Sequence, residues 1–190
     1  MVQMRHDFLV STWRLIISRA GCASSAEPRY SGMRDAARAG LKRGDLFAVL
    51  PAGRNIMADV VVTHPAAPSY VSKASNVAGS AAAGAESGKG KKMRSVCAGA
   101  EYDLVPLAHE TYGRLGAGAM GLVSELGDVA ASAGRTSKAR FVRSALAELS
   151  CALCRLNSSV FGQYEMEAAR AAGRAFMPGC AAPVGDMGAL

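Results

Sequence analysis

Residues 44–65 read GDLFAVLPAGRNIMADVVVTHP, and the other predicted elements are arranged around this stretch. Two apolar runs rich in β-branched residues flank a Pro-Ala-Gly-Arg-Asn turn, a pattern that predicts a β-hairpin. Each strand carries one acid, Asp45 at the start of the first and Asp59 inside the second. With a turn centred near Gly53, Phe47 lies opposite Asp59, and Asp45 is its diagonal neighbour on the same face, roughly 7–8 Å away. Two carboxylates so placed can converge on one bound cation.

The same two acids allow a simpler interpretation. A carboxylate within a hydrophobic strand costs free energy unless a partner compensates it. Asp45 would then be an ordinary turn residue after Gly44, and Asp59 would make a structural polar contact. Spacing alone favours this second interpretation, so the acid pair requires further support.

Composition narrows the class of protein. The chain has 190 residues, half of them apolar, which is enough for one domain with a sizeable core. A net charge of +7 favours a polyanionic partner. No apolar run approaches the roughly 18 residues that span a membrane, and no signal peptide is visible, so a soluble, intracellular protein is expected. The five scattered cysteines predict reduced thiols, and no Gly-rich dinucleotide or Walker loop is present.

Helical patterns surround the hairpin. An amphipathic helix is predicted at the N-terminus, an Ala-rich helix weakened by glycines after the hairpin, then a third strand at an edge or strand end, and two late helices. The predicted ranges are 3–20, 70–97, 102–107, 116–133 and 135–177, with turns over 21–33, one or two helical turns over 34–41, and a split in the last helix near 157–159. The Cys151-x-x-Cys154 pair is predicted to be buried within an apolar helix.

These elements predict an α/β (α+β) fold. Its core would be a small mixed sheet with a central β-hairpin flanked by helices, followed by a C-terminal helical extension. The predicted division is a core over 1–112, an extension over 113–177 and a loose tail over 178–190. Because Met1 begins directly in a helical pattern, the chain is expected to be the tail of a longer polypeptide.

Successive tracts of the chain resemble one known family. They are Arg5-His6-Asp7, GLKRGDLFAVLPAGR, DVVVTHPAAPSYV, the Ala-rich helix with its Lys-x-x-Lys, VPLAHETYGRLG and FVRSALAELSCALCR. Together they span roughly residues 5–180 and resemble the restriction-like, PD-(D/E)xK-type endonuclease domain at the C-terminal end of non-long-terminal-repeat retrotransposon polyproteins. The resemblance implies a restriction-endonuclease-like core.

The resemblance also implies a function and a site. Target DNA would be nicked in a reaction that depends on Mg²⁺ or Mn²⁺, and the free 3′ end would prime a reverse transcriptase encoded upstream. Asp45 and Asp59 would be the catalytic, metal-binding acids. Val61 stands two positions after the second acid, so the catalytic lysine would come from the helix, as Lys89 or Lys92; both remain open. Such displacement is expected in this retroelement branch.

Basic residues near these motifs are expected to contact DNA, or the element's RNA, in the nucleus. They are Lys91, Arg94, Arg43 and Arg5. A further basic set on the late helices, Arg135, Lys138, Arg140 and Arg143, is either a phosphate-contacting patch or a solvated helix face.

The chain departs from the family pattern at Gly44, where the motif has Pro, and at Met93, where related helices often carry Tyr. A catalytically decayed, basic nucleic-acid-binding remnant is therefore the alternative, and a helical interaction protein with incidental acids is a third. Three further residues have open roles. Glu110 either supports the metal or is a solvated strand-end acid, which is favoured; His64 is expected in a loop; and His6 faces either phosphate or solvent.

Overall fold

A computed structural model of the chain describes residues 2–26, 44–94 and 102–172. Within them, five α-helices and four β-strands form a mixed α/β structure. The helices are α1 (Val2–Ala20), α2 (Val71–Ala74), α3 (Ser80–Arg94), α4 (Ala117–Ser132) and α5 (Lys138–Ala171). The strands are β1 (Ala23–Ala26), β2 (Leu46–Val49), β3 (Asn55–Thr63) and β4 (Asp103–Glu110). They form one sheet in the order β1-β2-β3-β4, antiparallel except for the parallel pair β3–β4.

The predicted hairpin is confirmed, with a different register. A short 3₁₀ helix at Pro51–Gly53 joins β2 to β3, and the Leu50 N–H donates to the Arg54 carbonyl at 2.8 Å. This closure centres the turn one residue earlier than predicted. Phe47 therefore lies opposite Met57, and the prediction that it faces Asp59 is wrong.

The two outer strands differ from their predictions. Residues 23–26, ASSA, were expected to be turn-like, yet they form β1 against β2. Their small side chains carry no strand pattern, so pairing with β2 overrides local propensity. The third predicted strand lies at the edge of the sheet as expected, but it continues past Pro106 to Glu110. Proline is tolerated there because an edge strand needs its N–H groups on one side only.

One face of the sheet, here called the core face, is apolar. It carries Ile56, Ala58 and Val60 of β3, which join one buried cluster with Trp13 of α1 and with residues of α4 and α5. These side chains share a face because alternate strand residues point the same way. Most of the largest fully buried side chains pack on the core face, among them Trp13 and Phe141.

The opposite face, here called the acid face, carries Asp59 and Thr63 and is covered by α3. The predicted Ala-rich helix is interrupted as expected. Gly79, whose φ is +84°, separates α2 from α3, because a left-handed backbone suits glycine. Ala81 and Ala82, both fully buried, let the first turn of α3 approach the strands closely.

The chain divides into two compact units, Met1–Leu156 and Asn157–Leu190. The first unit contains the sheet and the cores of both faces. In the second, residues 157–171 belong to α5, which continues without the predicted split. The predicted division at residue 112 stays a prediction, and the predicted turns at 34–41 and the tail at 178–190 lie outside the described residues.

The long helix α5 corrects one prediction about the cysteines. Leu149, Leu153 and Leu156 lie on its buried stripe. Cys151 and Cys154 are exposed free thiols, so the prediction that they are buried is wrong. The i, i+3 spacing places them beside the buried stripe rather than within it. None of the described helices combines the length and the apolar character needed to span a membrane.

Candidate active site

Asp45 and Asp59 lie side by side on the acid face. Asp45 directly precedes β2, whose first residue, Leu46, is paired with Ala58. The Asp45 N–H donates to the Ala58 carbonyl at 3.2 Å. Asp45 also accepts the Val60 N–H on Oδ2 at 2.7 Å. The Asp45 and Asp59 side chains are also hydrogen-bonded to each other, so the two carboxylates lie close together.

The pKa of Asp59 depends on its burial and on its two charged neighbours, Asp45 and Lys89. Burial raises the pKa of Asp59 to about 6, helped by its hydrogen bond with Asp45 and by repulsion between the two carboxylates. Lys89 acts in the opposite direction and lowers the pKa. A carboxylate whose charge is this unfavourable is a good ligand for a cation, because binding relieves both the desolvation and the repulsion.

Lys89 is the lysine that meets the acids. It lies on α3, and its Nζ is 2.6 Å from Asp59 Oδ2, with about a third of the side chain exposed. The helix spans from its buried first turn to this lysine and thereby delivers an ammonium to the middle of β3. Lys91, two positions on, is exposed. Lys92 and Arg94 lie in the last turn of α3, but their side chains fall outside the described part of the structure.

Comparison of the chain with protein-family models, curated proteins and solved structures finds no match. The evidence for the chemistry of the site therefore comes from its own side chains.

His6 belongs to the site and was missed by the sequence, which left it between phosphate and solvent. Its Nε2 is 2.9 Å from Asp45 Oδ2, and its Nδ1 is 3.1 Å from Asp7 Oδ1. Burial lowers its pKa, but the hydrogen bonds to Asp45 and Asp7 outweigh this and raise the pKa above its ordinary value. The only sequence signal was the polar trio Arg5-His6-Asp7 at the start of an amphipathic helix.

Glu110 has a structural role. It is buried, and its Oε1 accepts the Ala82 N–H of α3 at 3.1 Å, so the expectation of a solvated strand-end acid is wrong. The parallel pairing of β4 carries Glu110 to the edge where α3 begins, and a buried carboxylate there satisfies one of the helix's unpaired N–H groups. Glu110 thus fixes the start of the helix that carries Lys89.

Three predicted residues remain, namely Arg5, Arg43 and His64. Arg5 is partly buried, and its Nε has no hydrogen-bond partner among the described residues. Arg43 lies outside the described residues. His64 is exposed, as expected for a loop; its Nδ1 is 2.7 Å from Thr111 Oγ1 and its ring is edge-on to Tyr112.

The donors present fit a hard divalent cation. Across residues 2–26, 44–94 and 102–172, no set of three or more His, Cys, Asp or Glu side chains is arranged to hold a metal. Asp45 and Asp59 still supply two carboxylates at one point. Mg²⁺ is commonly bound through one or two carboxylates, with water and substrate phosphate completing its shell. The acid pair matches that donor set.

Proposed function

We propose that the chain is a divalent-cation-dependent DNA endonuclease domain of the restriction-like type. It would nick target DNA for a non-long-terminal-repeat retrotransposon. The observation that carries the proposal is the meeting of Asp45, Asp59 and Lys89 at one point of the sheet, with Lys89 Nζ 2.6 Å from Asp59. Two paired acids and a lysine are the groups that hydrolysis of a phosphodiester needs.

The fold supports the same proposal. A mixed sheet with a central hairpin between helices is the architecture that the family resemblance implies. The lysine comes from α3, the displaced position that the resemblance implies when Val61 occupies the usual one. The composition adds a net charge of +7, which favours a nucleic-acid partner.

Asp45 and Asp59 would hold Mg²⁺ or Mn²⁺. When bound, such a cation lowers the pKa of water and neutralises the scissile phosphate. The chain's own residues do the rest. The Val60 N–H and His6 orient the Asp45 carboxylate. Lys89 brings a positive charge beside the acids, where it can stabilise the negative charge that develops on the phosphate.

Biological context follows from the resemblance. The nick would leave a 3′ end that primes a reverse transcriptase encoded upstream in the same polyprotein, and the site of action would be the nucleus. DNA would be the substrate, and the element's RNA would be a further partner.

Plasmid nicking tests the proposal. The 190-residue chain should relax supercoiled plasmid with Mg²⁺ or Mn²⁺ and fail to do so with EDTA. Asp59→Asn should cut the rate at least about 100-fold, because losing a cation ligand forfeits several kcal/mol of transition-state stabilisation. Asp128→Asn is the matched control, since Asp128 also pairs with a lysine, Lys138, at 2.7 Å but on an exposed surface. Equal nicking by Asp59→Asn and wild type would contradict the proposal.

The second candidate is a nucleic-acid-binding domain without cleavage. It is favoured by exposed basic residues away from the acid pair, Arg140 and Arg143 on α5, together with Lys91 beyond the active-site lysine. Binding through such residues weakens steeply as salt rises. DNA binding with a strong salt dependence and no cation-dependent nicking would identify this function.

A further inference from the structure

We infer that His6 is a positioning residue that fixes Asp45 for cation binding and so makes the first helix a functional part of the active site. The inference rests on the proposed function, because it concerns the same acid pair. A contact joins two distant parts of the chain, because His6 Nε2 on α1 lies 2.9 Å from Asp45 Oδ2 at the start of the hairpin.

The contact constrains one oxygen of the carboxylate. Asp45 Oδ2 receives two donors, the His6 ring at 2.9 Å and the Val60 N–H at 2.7 Å. An ionised carboxylate has about four lone-pair sites, two on each oxygen. With Oδ2 engaged twice, a cation would bind through Oδ1 and would replace the hydrogen bond between Asp45 and Asp59. The two donors also hold the plane of the carboxylate in one orientation.

The imidazole is itself held in place. Its Nδ1 lies 3.1 Å from Asp7 Oδ1, so both ring nitrogens face carboxylate oxygens. The ring cannot rotate without losing one of these contacts. Three-quarters of the His6 side chain is shielded, because 27% of it is exposed, against 59% for Asp7. A donor fixed at both ends orients its partner more strictly than a solvated one.

The packing of α1 against the sheet places His6 beside Asp45. Seven residues, or about two helical turns, after His6, the buried Trp13 indole N–H donates to His109 Nε2 at 3.0 Å. This hydrogen bond and the buried apolar side chains of α1 together hold the helix against the core face of the sheet. His6 is thereby brought to Asp45 by the same helix that anchors the core.

Hydrogen bonds that orient a cation-binding carboxylate affect the affinity of the site for the cation. Groups that orient a ligating carboxylate typically contribute about 10- to 100-fold in metal affinity. Loss of the His6 donor should therefore weaken cation binding while Asp45 and Asp59 both remain. At saturating cation, much of the nicking rate should return, because the ligands themselves are intact.

A matched pair of variants isolates the donor. His6→Gln keeps an amide N–H at about the reach of Nε2, whereas His6→Met has the same length without a donor. Mn²⁺ binding to the full chain, measured by electron paramagnetic resonance of the free ion, gives the dissociation constant without any turnover. We expect His6→Met to raise the Mn²⁺ dissociation constant about tenfold, and His6→Gln to stay near wild type. His64→Met is the control, because His64 contacts Thr111 rather than an acid of the pair.

Folding and activity complete the test. Circular dichroism should show the same helix content in all three variants, and nicking by His6→Met should recover as Mn²⁺ is raised. Equal Mn²⁺ affinity in His6→Met and wild type, with nicking intact, would overturn the positioning role alone. Weakened binding in His6→Gln equal to that in His6→Met would also overturn it. A wild-type chain that binds no Mn²⁺ and nicks no DNA would overturn the proposed function as well.

Discussion

The two faces of the sheet differ in what they contribute, although the same strand supplies both. On β3, Val60 points into the core face among large apolar side chains, while its neighbour Asp59 points to the acid face beside Lys89. The core face therefore supplies most of the apolar burial that stabilises the fold. The acid face gives up such burial and accepts a desolvated carboxylate. The apolar burial on the core face offsets the cost of this desolvated carboxylate.

The faces also differ in how burial acts on a titratable group. On the core face, burial lowers the pKa of His109 to about 4. On the acid face, burial and Asp45 raise the pKa of Asp59 to about 6. Both shifts disfavour the charged form, but they act on stability with opposite dependence on pH.

Removing a large side chain from the core face should change the free energy of unfolding more than the other substitutions proposed below. Trp13→Ala should lower the free energy of unfolding by about 3–5 kcal/mol, because it opens a cavity in the core. It also leaves the buried His109 Nε2 without its donor. Urea denaturation followed by circular dichroism measures the change. A loss below about 1 kcal/mol would show that the core does not depend on this face as argued.

The two faces should also differ in how their titratable groups make stability depend on pH, and this effect is smaller. His109 has a lowered pKa, so its contribution to stability is present above pH 6.5 and is lost as the pH falls through about 4. Asp59 has a raised pKa, so its contribution is present below pH 3.8 and is lost as the pH rises through about 6. The two contributions oppose each other over nearly the same range, so wild-type stability should change little there.

Removing one contribution should expose the other. In Asp59→Asn, stability should fall by roughly 3 kcal/mol between pH 6.5 and pH 4, as His109 takes up a proton in the unfolded state. Urea midpoints across this range give the profile, with Asp128→Asn as the control that keeps the wild-type profile. A flat profile in Asp59→Asn would contradict the opposing roles of the two faces.

The smallest effect concerns the two Asp–Lys pairs. Lys138→Met breaks an exposed pair and should change the free energy of unfolding by no more than about 1 kcal/mol. Lys89→Met should instead raise the pKa of Asp59 further, because the cation that lowers it is gone. Carboxyl chemical shifts followed by nuclear magnetic resonance report the titration. A lower pKa for Asp59 in Lys89→Met would exclude the ion pair with Lys89.

The sequence was informative where chemistry follows a strand pattern. Alternation along the hairpin placed Asp45 and Asp59 on one face, and Lys89 was one of the two lysines considered catalytic. The register was missed because it depends on the 3₁₀ closure between Leu50 and Arg54.

Other features depend on tertiary packing that no local pattern encodes. The strand at residues 23–26 forms only because β2 lies beside it. His6 reaches Asp45 because the buried side chains of α1 and the hydrogen bond from Trp13 to His109 hold the helix against the sheet. Glu110 was expected in solvent, but its burial follows from the way α3 begins against β4.

If the acid face is a divalent-cation site, equilibrium binding of Mn²⁺ to the chain should depend on Asp59. Mn²⁺ bound per chain should be measured for wild type, Asp59→Asn and Asp128→Asn, each checked for folding. If the acid pair holds the cation, wild type and Asp128→Asn should each bind one Mn²⁺ per chain, and Asp59→Asn should lose this binding. Binding that is unchanged by Asp59→Asn, or that is lost equally in Asp128→Asn, would contradict it.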